Sequence, residues 1–406
     1  MKIKSTLFAI ISIMSLYANA SQNADDYKNY IEKMYQSSDL IKIKELELEA
    51  EGLNGEQVEL YFLPKVTAES KLRTDTTKGS IVENKLELNS LLFDSSITDR
   101  FKEKNNKINA AKYALVKEKE VLRQSIIENL IGIEYYKKLF ATANDLEVNA
   151  NLLYKQIESR YSAGVAKESD VEQAKLLIQK IETESHSITK EIDLLKSNIE
   201  LSTGESFPER GVMLPEKVFQ AIDTFKPDEN GLHHNLDYEI LKEQMLAAKN
   251  NIAQQNSLFK VSALTEQRYK DNAKNDNDSY FGIQVNVNLF DYNKKNAAET
   301  SFKNYQILKT KMDFKYKELQ NTMKSLILIS NSNEKELKGL ENQSITTKSI
   351  IRNQKKEYSI SQASYYEMLN TKFDSFSLDK KITEIKINDA INKIAMMQLT
   401  GNILSL

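Results

Sequence analysis

Four short stretches of the chain alternate between polar and apolar residues. From Lys65 to Thr74, Val66, Ala68, Ser70 and Leu72 fall on one side, and Lys65, Thr67, Glu69, Lys71 and Arg73 on the other. Between 82 and 92, Leu86, Leu88 and Leu92 oppose Glu83, Lys85, Glu87 and Asn89. A third run covers 261–269. A fourth covers 280–290, with Phe281, Ile283, Val285, Val287 and Leu289 alternating with Gly282, Gln284, Asn286 and Asn288. A period of two with one apolar face predicts strands, each buried on one side only. At nine to eleven residues, strands such as 65–74 and 280–290 are long enough to cross a bilayer when tilted. Tyr269, Tyr280, Phe281, Phe290 and Tyr292 stand near the strand ends, where an interfacial aromatic belt is expected.

The remaining pattern is helical. Residues 21–62 read as helix with a break at Gly52 to Gly55, stopped by Pro64. A long helix is predicted from about Ser96 to Ser162, roughly 100 Å at 1.5 Å per residue. Ala174, Ile178, Ile181, Ser185, Ile188, Ile192, Leu195 and Ile199 follow the spacing of a coiled-coil seam. A similar stripe joins Leu308, Met312, Tyr316, Leu319, Met323, Leu326, Leu337 and Leu340, with a polar gap at Ser330 and Asn333. One narrow stripe on such long helices cannot enclose a globular core. It suits helices packed side by side in a sheet or tube.

The pattern occurs twice. Leu92-Phe93-Asp94 closes one strand pair and opens a long helix, and Leu289-Phe290-Asp291 does so again just under half the chain further on. Tyr161 with Gly164, and Tyr358 with Ser361, interrupt the helices at matching positions. An internal repeat of this kind governs the whole fold. It divides the chain into a first repeat at 21–203 with a turn near 164, a linker at 204–235, and a second repeat at 236–406 with a turn near 361. The linker carries Pro208, Pro215 and Pro227, three of the four prolines.

Composition sharpens this picture. Residues 1–20 have a basic start, an apolar middle and Ala18-Asn19-Ala20, the pattern of a cleaved export signal. No later stretch is apolar enough to span a membrane as a helix, so any membrane crossing must be a barrel. Four strands cannot close one, since the smallest have about eight. A membrane barrel therefore has to be shared between chains. Cysteine is absent, in keeping with an oxidising compartment. A net charge of −2 gives no basic excess for nucleic acid. His186, His233 and His234 are the only histidines and converge with no ligand set, so no metal or other cofactor is expected. There is no phosphate-binding glycine loop and no catalytic constellation, which points away from an enzyme.

Arg160-Tyr161-Ser162-Ala163-Gly164-Val165-Ala166-Lys167-Glu168-Ser169-Asp170-Val171 breaks one helix and starts the next. Gly164 can take the left-handed conformation that ends a helix, and Asp170 suits a first turn. Arginine-tyrosine, glycine, then aspartate-hydrophobic also resembles the turn signature of the TolC family of outer-membrane channels. Both Leu-Phe-Asp exits, Leu63-Pro64 ahead of the first strand, and the closing Ala395-Met396-Met397-Gln398-Leu399-Thr400-Gly401 extend the resemblance over essentially the whole mature chain. Lys260 departs from it, standing where a proline is expected before the third strand, and Ser361 stands in place of a glycine.

The resemblance implies a mainly α fold with a small membrane β part: a homotrimer in the outer membrane of a Gram-negative bacterium, with a large periplasmic part. Four strands per chain would form a shared 12-stranded β-barrel, continued by long antiparallel coiled-coil helices as a periplasmic α-barrel. Such a protein is the passive exit duct of a tripartite machine for type I secretion or small-molecule efflux. Its implied partners are a periplasmic adaptor, an inner-membrane ABC or proton-driven transporter, and outer-membrane lipid. The turns at Gly164, Val165 and Ala166 and at Ser361, Gln362 and Ala363 would meet the adaptor. Family members pair two aspartates at the periplasmic gate. The matching positions are Glu367 and Asn370, one acid retained and one lost, with Asp170 nearby in the first-copy turn. Asp170 and Glu367 also suit plain helix N-terminal acids. Lys71, Arg73, Glu83, Lys85, Glu87, Gln284, Asn286 and Asn288 would line the barrel lumen and keep it wet. The competing function is a periplasmic coiled-coil adaptor or scaffold without a pore.

Overall fold

Alternating residues make the strands and the three-to-four spacing makes the helices. A computed structural model describes residues 26–75, 79–255, 259–270, 278–287, 292–359 and 365–406. The export signal at 1–20, Asn288, Leu289, Phe290, Asp291, Ser361, Gln362 and Ala363 lie outside them. Helix α1 covers 26–37 and α2 is Asp39–Glu59, followed by a 3-10 turn at Leu60–Phe62. Strands β1 (Lys65–Asp75) and β2 (Gly79–Asp94) precede α3 (Ile97–Ser162) and α4 (Glu168–Thr203). The linker holds α5 (Glu216–Thr224) and a 3-10 turn at Glu229–His234. Then come α6 (Leu236–Gln255), β3 (Phe259–Lys270), β4 (Asp278–Val287), α7 (Tyr292–Ser359) and α8 (Tyr365–Leu399). The strands extend one to three residues beyond the alternating runs at 65–74, 82–92 and 261–269. The fourth begins two residues early, at Asp278, and is described as far as Val287.

The chain forms two compact units. One gathers Ile43–Lys117 and Leu236–Lys317 and contains all four strands; the other gathers the chain up to Lys42, Glu118–Asn235 and Glu318–Leu406. In the strand unit the sheet is antiparallel throughout, in the order β1-β2-β3-β4. A bulge between Leu91 and Phe93 interrupts β2 against β3. The extra residue turns Phe93, rather than Leu92, onto the register of Val261, where it stacks on Phe259 at 5.3 Å. Strict alternation had put Leu92 there.

The predicted break at Gly52 to Gly55 does not occur, because α2 runs through it. The break lies at Ser38, whose hydroxyl accepts from Ile41 N at 3.5 Å and so starts α2. Gly55 serves a close approach instead: a Cβ there would collide with the Lys104 Cε.

In the helical unit, Leu139, Ala143, Leu146, Ala150, Leu153 and Ile157 of α3 meet Ala174, Leu177, Ile181, Ile188 and Ile192 of α4, with Leu369 and Phe376 of α8. The seam read from the sequence is present with two changes: Leu177 is buried where Ile178 only flanks it, and Leu195 is only half-buried. At the polar gap in α7, Ser330 Oγ donates to Asp389 Oδ1 of α8 at 2.6 Å.

Candidate functional site

Register places alternate residues of all four strands on one charged surface. Thr67 faces Glu87, Glu69 faces Lys85 and Lys71 faces Glu83 across β1 and β2. Lys85 then faces Arg268 and Glu87 faces Glu266 across β2 and β3. Glu266 faces Tyr280, Ser262 faces Gln284 and Lys260 faces Asn286 across β3 and β4. Lys71, Arg73, Glu83, Lys85, Glu87, Gln284 and Asn286 therefore share this surface.

Glu87 and Glu266 stand directly opposite, which alone is unfavourable. Lys85 resolves the conflict: its Nζ is 2.7 Å from Glu87 Oε2 and 3.0 Å from Glu266 Oε2. Tyr280 donates its hydroxyl to Glu266 Oε2 at 2.8 Å, and Arg268 Nε donates to the other carboxylate oxygen. Glu266 is only 2% exposed, so these partners carry the whole burden of keeping its charge. Sequence reasoning missed Glu266 and Arg268 because β3 is mixed on both faces, with Leu264 among the charges and Thr265 and Gln267 opposite. It also grouped Tyr280 with the aromatic belt, whereas the ring belongs to this polar surface and Phe281 lies on the other.

The opposite face is bare. Leu72 is 72% exposed, Phe281 76% and Ile283 67%. The sheet is thus inverted at its centre relative to a water-soluble one, with Glu266 covered and the apolar side chains of the other face open.

At the foot of β2, Asp94 is fully buried. Its Oδ1 accepts from Ser96 N at 2.8 Å and Ser96 Oγ at 2.7 Å, which turns the chain from strand into α3. Lys260 Nζ lies 3.5 Å from Asp94 Oδ2 and Arg100 Nε 3.8 Å. Arg100 and Lys260 also flank the Tyr61 ring, at 5.4 and 5.7 Å. Below the sheet, α2, α3, α6 and α7 of the same unit surround a groove of about 970 Å³ floored by Ala110, Ala111, Ala114, Ala247 and Ala248. There Asn251 accepts from Ser301 Oγ at 2.8 Å.

In the helical unit, the α3–α4 turn is closed by Gly164 at φ +72. Gly164 N donates to Tyr161 O and Val165 N to Arg160 O, both at 2.8 Å, the paired bonds of a Schellman ending. Ala166 N also donates to Arg160 O, at 3.3 Å. Asp170 Oδ2 accepts from Lys167 N at 3.2 Å, capping α4. Glu367 is exposed in the first turn of α8, and Asn370 is half-buried one turn on. Lys372 follows in a small groove beside Asp145 and Asp379. Burial, with repulsion from Lys355, pushes its ammonium below the ordinary lysine value. Nothing in the sequence pattern singled it out. His186 lies on the exposed side of α4, and His233 and His234 end the 3-10 turn of the linker.

No family model and no curated protein matches the sequence. Solved structures match over nearly its whole length. CusC, whose crystal structures concern transmembrane channel formation, aligns with a TM-score of 0.76 at 12% identity, covering 93% of this chain and 92% of that one. The outer-membrane protein VceC of Vibrio cholerae gives 0.76 at 14% identity, over 94% and 96%. The MtrE outer-membrane channel of Neisseria gonorrhoeae, in its open state, gives 0.73 at 11% identity, over 92% and 88%. The chain has the fold of the TolC-family outer-membrane channels.

Proposed function

We propose that the protein is a trimeric outer-membrane exit duct with a large periplasmic part, and that its two strand-strand-helix-helix passages are repeats of one structural unit. The inverted sheet carries this reading. Exposing Phe281 and Ile283 while covering Glu266 is unfavourable in water, but it is the arrangement of a lipid-facing barrel with a wet interior. The dimensions agree. Along β3 the outward face runs ten residue steps from Phe259 to Tyr269, its apolar residues interrupted by Thr265 and Gln267, about 33 Å along the strand and about 25 Å high at a tilt of ~40°. That is the height of an outer-membrane apolar band. A periplasmic scaffold has no use for such a face.

Association of copies follows from the edges. β1 and β4 each leave one side of the sheet unpaired. In the same unit α2 exposes Ile43, Leu46 and Leu53, with Leu60 in the turn after it, and α7 exposes Ile307 and Phe314. These are coiled-coil spacings without a partner. Pairing β1 of one copy with β4 of the next, and α2 with α7, closes a ring, and three copies supply twelve strands. Lys71, Arg73, Glu83, Lys85, Glu87, Gln284 and Asn286 then line the lumen. The ends of α3–α4 and α7–α8 form the periplasmic tip, where Glu367, Asn370 and Asp170 sit beside the surfaces offered to an adaptor. The machine is tripartite, either type I secretion or efflux, with an inner-membrane transporter supplying energy. Adaptor binding opens the tip only by favouring the open state over the closed one.

The test is the mass of the purified mature protein in detergent, with its single-channel conductance in a planar bilayer. A trimer forming stable channels is expected. A monomer that stays soluble without detergent and never inserts would overturn the duct and leave the scaffold.

A further inference from the structure

The two outer helices of the strand unit carry opposite charge. Glu59 of α2 pairs with Lys104 of α3 at 2.6 Å, Gln254 of α6 donates to Glu103 of α3, and Ser301 of α7 donates to Asn251 of α6. α3 and α6 therefore lie between α2 and α7. The bare stripe of α2, with Ile43, Leu46 and Leu53, lies opposite the face where Gly55 meets Lys104 and is flanked by Glu45, Glu47, Glu49 and Glu56. Lys44, the one base in this stretch, pairs with Glu47 at 2.8 Å. The bare stripe of α7, with Ile307 and Phe314, is flanked instead by Lys295, Lys303, Lys311 and Lys317, with Glu299 and Asp313 as its acids. Among the described residues, Glu49, Glu56, Lys295, Lys303 and Lys311 form no ion pair within the chain.

The levels agree as well. α2 runs toward the sheet and ends at Glu59, six residues before β1; α7 runs away from it and begins at Tyr292, five residues after Val287. Counted from these ends, Glu56 and Lys295 each stand three residues down, Glu49 ten and Lys303 eleven, Leu46 thirteen and Ile307 fifteen. α2 of one copy laid antiparallel to α7 of the next thus sets acid on base and apolar on apolar. Apolar stripes alone do not choose this direction. They equally allow α2 to meet α2 of another copy in a two-fold dimer, which closes no twelve-stranded ring. The charges forbid it, because α2 on α2 sets glutamates against glutamates and α7 on α7 sets lysines against lysines. We propose that these charged edges select the head-to-tail contact, so that each copy accepts only the opposite edge of a second copy. The proposal rests on the reading of the protein as a shared duct and names what decides its assembly.

The test is the yield of trimer when the full mature protein is refolded from urea into detergent, read by native mass spectrometry. Each exposed pair is weak, but every seam of the ring repeats it. Glu49→Lys with Glu56→Lys, or Lys295→Glu with Lys303→Glu, should cut the yield about tenfold in about 50 mM salt, and all four changes together should restore it. Raising salt to about 500 mM should lower the wild-type yield and raise that of either two-site variant, since screening weakens attraction and repulsion alike. Equal trimer from wild type and all variants, or a loss that the fourfold variant does not recover, would overturn charge selection. Wild type that forms no trimer at either salt would instead overturn the duct reading beneath it.

Discussion

Buried seam residues set the stability of the helical unit, and each is separately testable. Ile181 is fully buried between α3 and α4, so Ile181→Ala should cost about 2–5 kcal/mol in urea unfolding followed by helical signal. Leu176, on the exposed side of the same helix, should change stability by less than about 0.5 kcal/mol when replaced by Ala. That Leu177 rather than Ile178 fills the seam shows how far spacing alone can discriminate. Both residues are apolar neighbours on one turn, and only the packing against α3 decides which is covered. Asp237 begins α6 between Lys117 at 2.5 Å and Lys315 at 3.4 Å. Burial works to raise its pKa, but the two ammonium groups more than reverse this and hold the carboxyl below its usual range. A carboxylate so depressed contributes stability above its unfolded pKa, near about 4, and loses it as pH falls through the folded value. The melting-temperature advantage of wild type over Asp237→Asn should therefore be present at about pH 6 and shrink on acidification below about pH 4.

At the scale of elements, alternation and heptad spacing were legible because each element buries one stripe or face. What could not be read was local. The bulge at Leu92 adds a residue that no periodicity announces. The continuity of α2 through Gly52 and Gly55 has no signal in the spacing, and the break at Ser38 comes with a hydroxyl cap. Glu266 was hidden because its meaning comes from Lys85, Arg268 and Tyr280 on three strands, brought together only by register. The two faces of β4 give the sharpest prediction at this scale. On the proposed duct, Ile283→Lys places a charge on the lipid-facing side and should destabilise the protein in bilayers by about 2–4 kcal/mol. Gln284→Lys, one residue on and on the charged face of the sheet, should cost little. Equal effects, read from refolding into lipid vesicles, would remove the distinction between the faces.

For the whole molecule, the long helices, the strand pairs and the resemblance to outer-membrane channels were visible in the sequence. A shared assembly entered as an arithmetic need, because four strands cannot close a barrel, and as what the resemblance implies. The structure supplies the free sides of β1 and β4 and the bare stripes of α2 and α7 at which the proposed ring would close. It also separates a charged face of the sheet from an apolar one. Because the chain has no cysteine, each side can be probed with a single introduced thiol. The decisive measurement is labelling of Ile283→Cys and Gln284→Cys in proteoliposomes with a membrane-impermeant maleimide. Reaction at Gln284→Cys with protection at Ile283→Cys is expected for a wet lumen inside a lipid-facing wall. Equal labelling of both, or protection of Gln284→Cys alone, would contradict it.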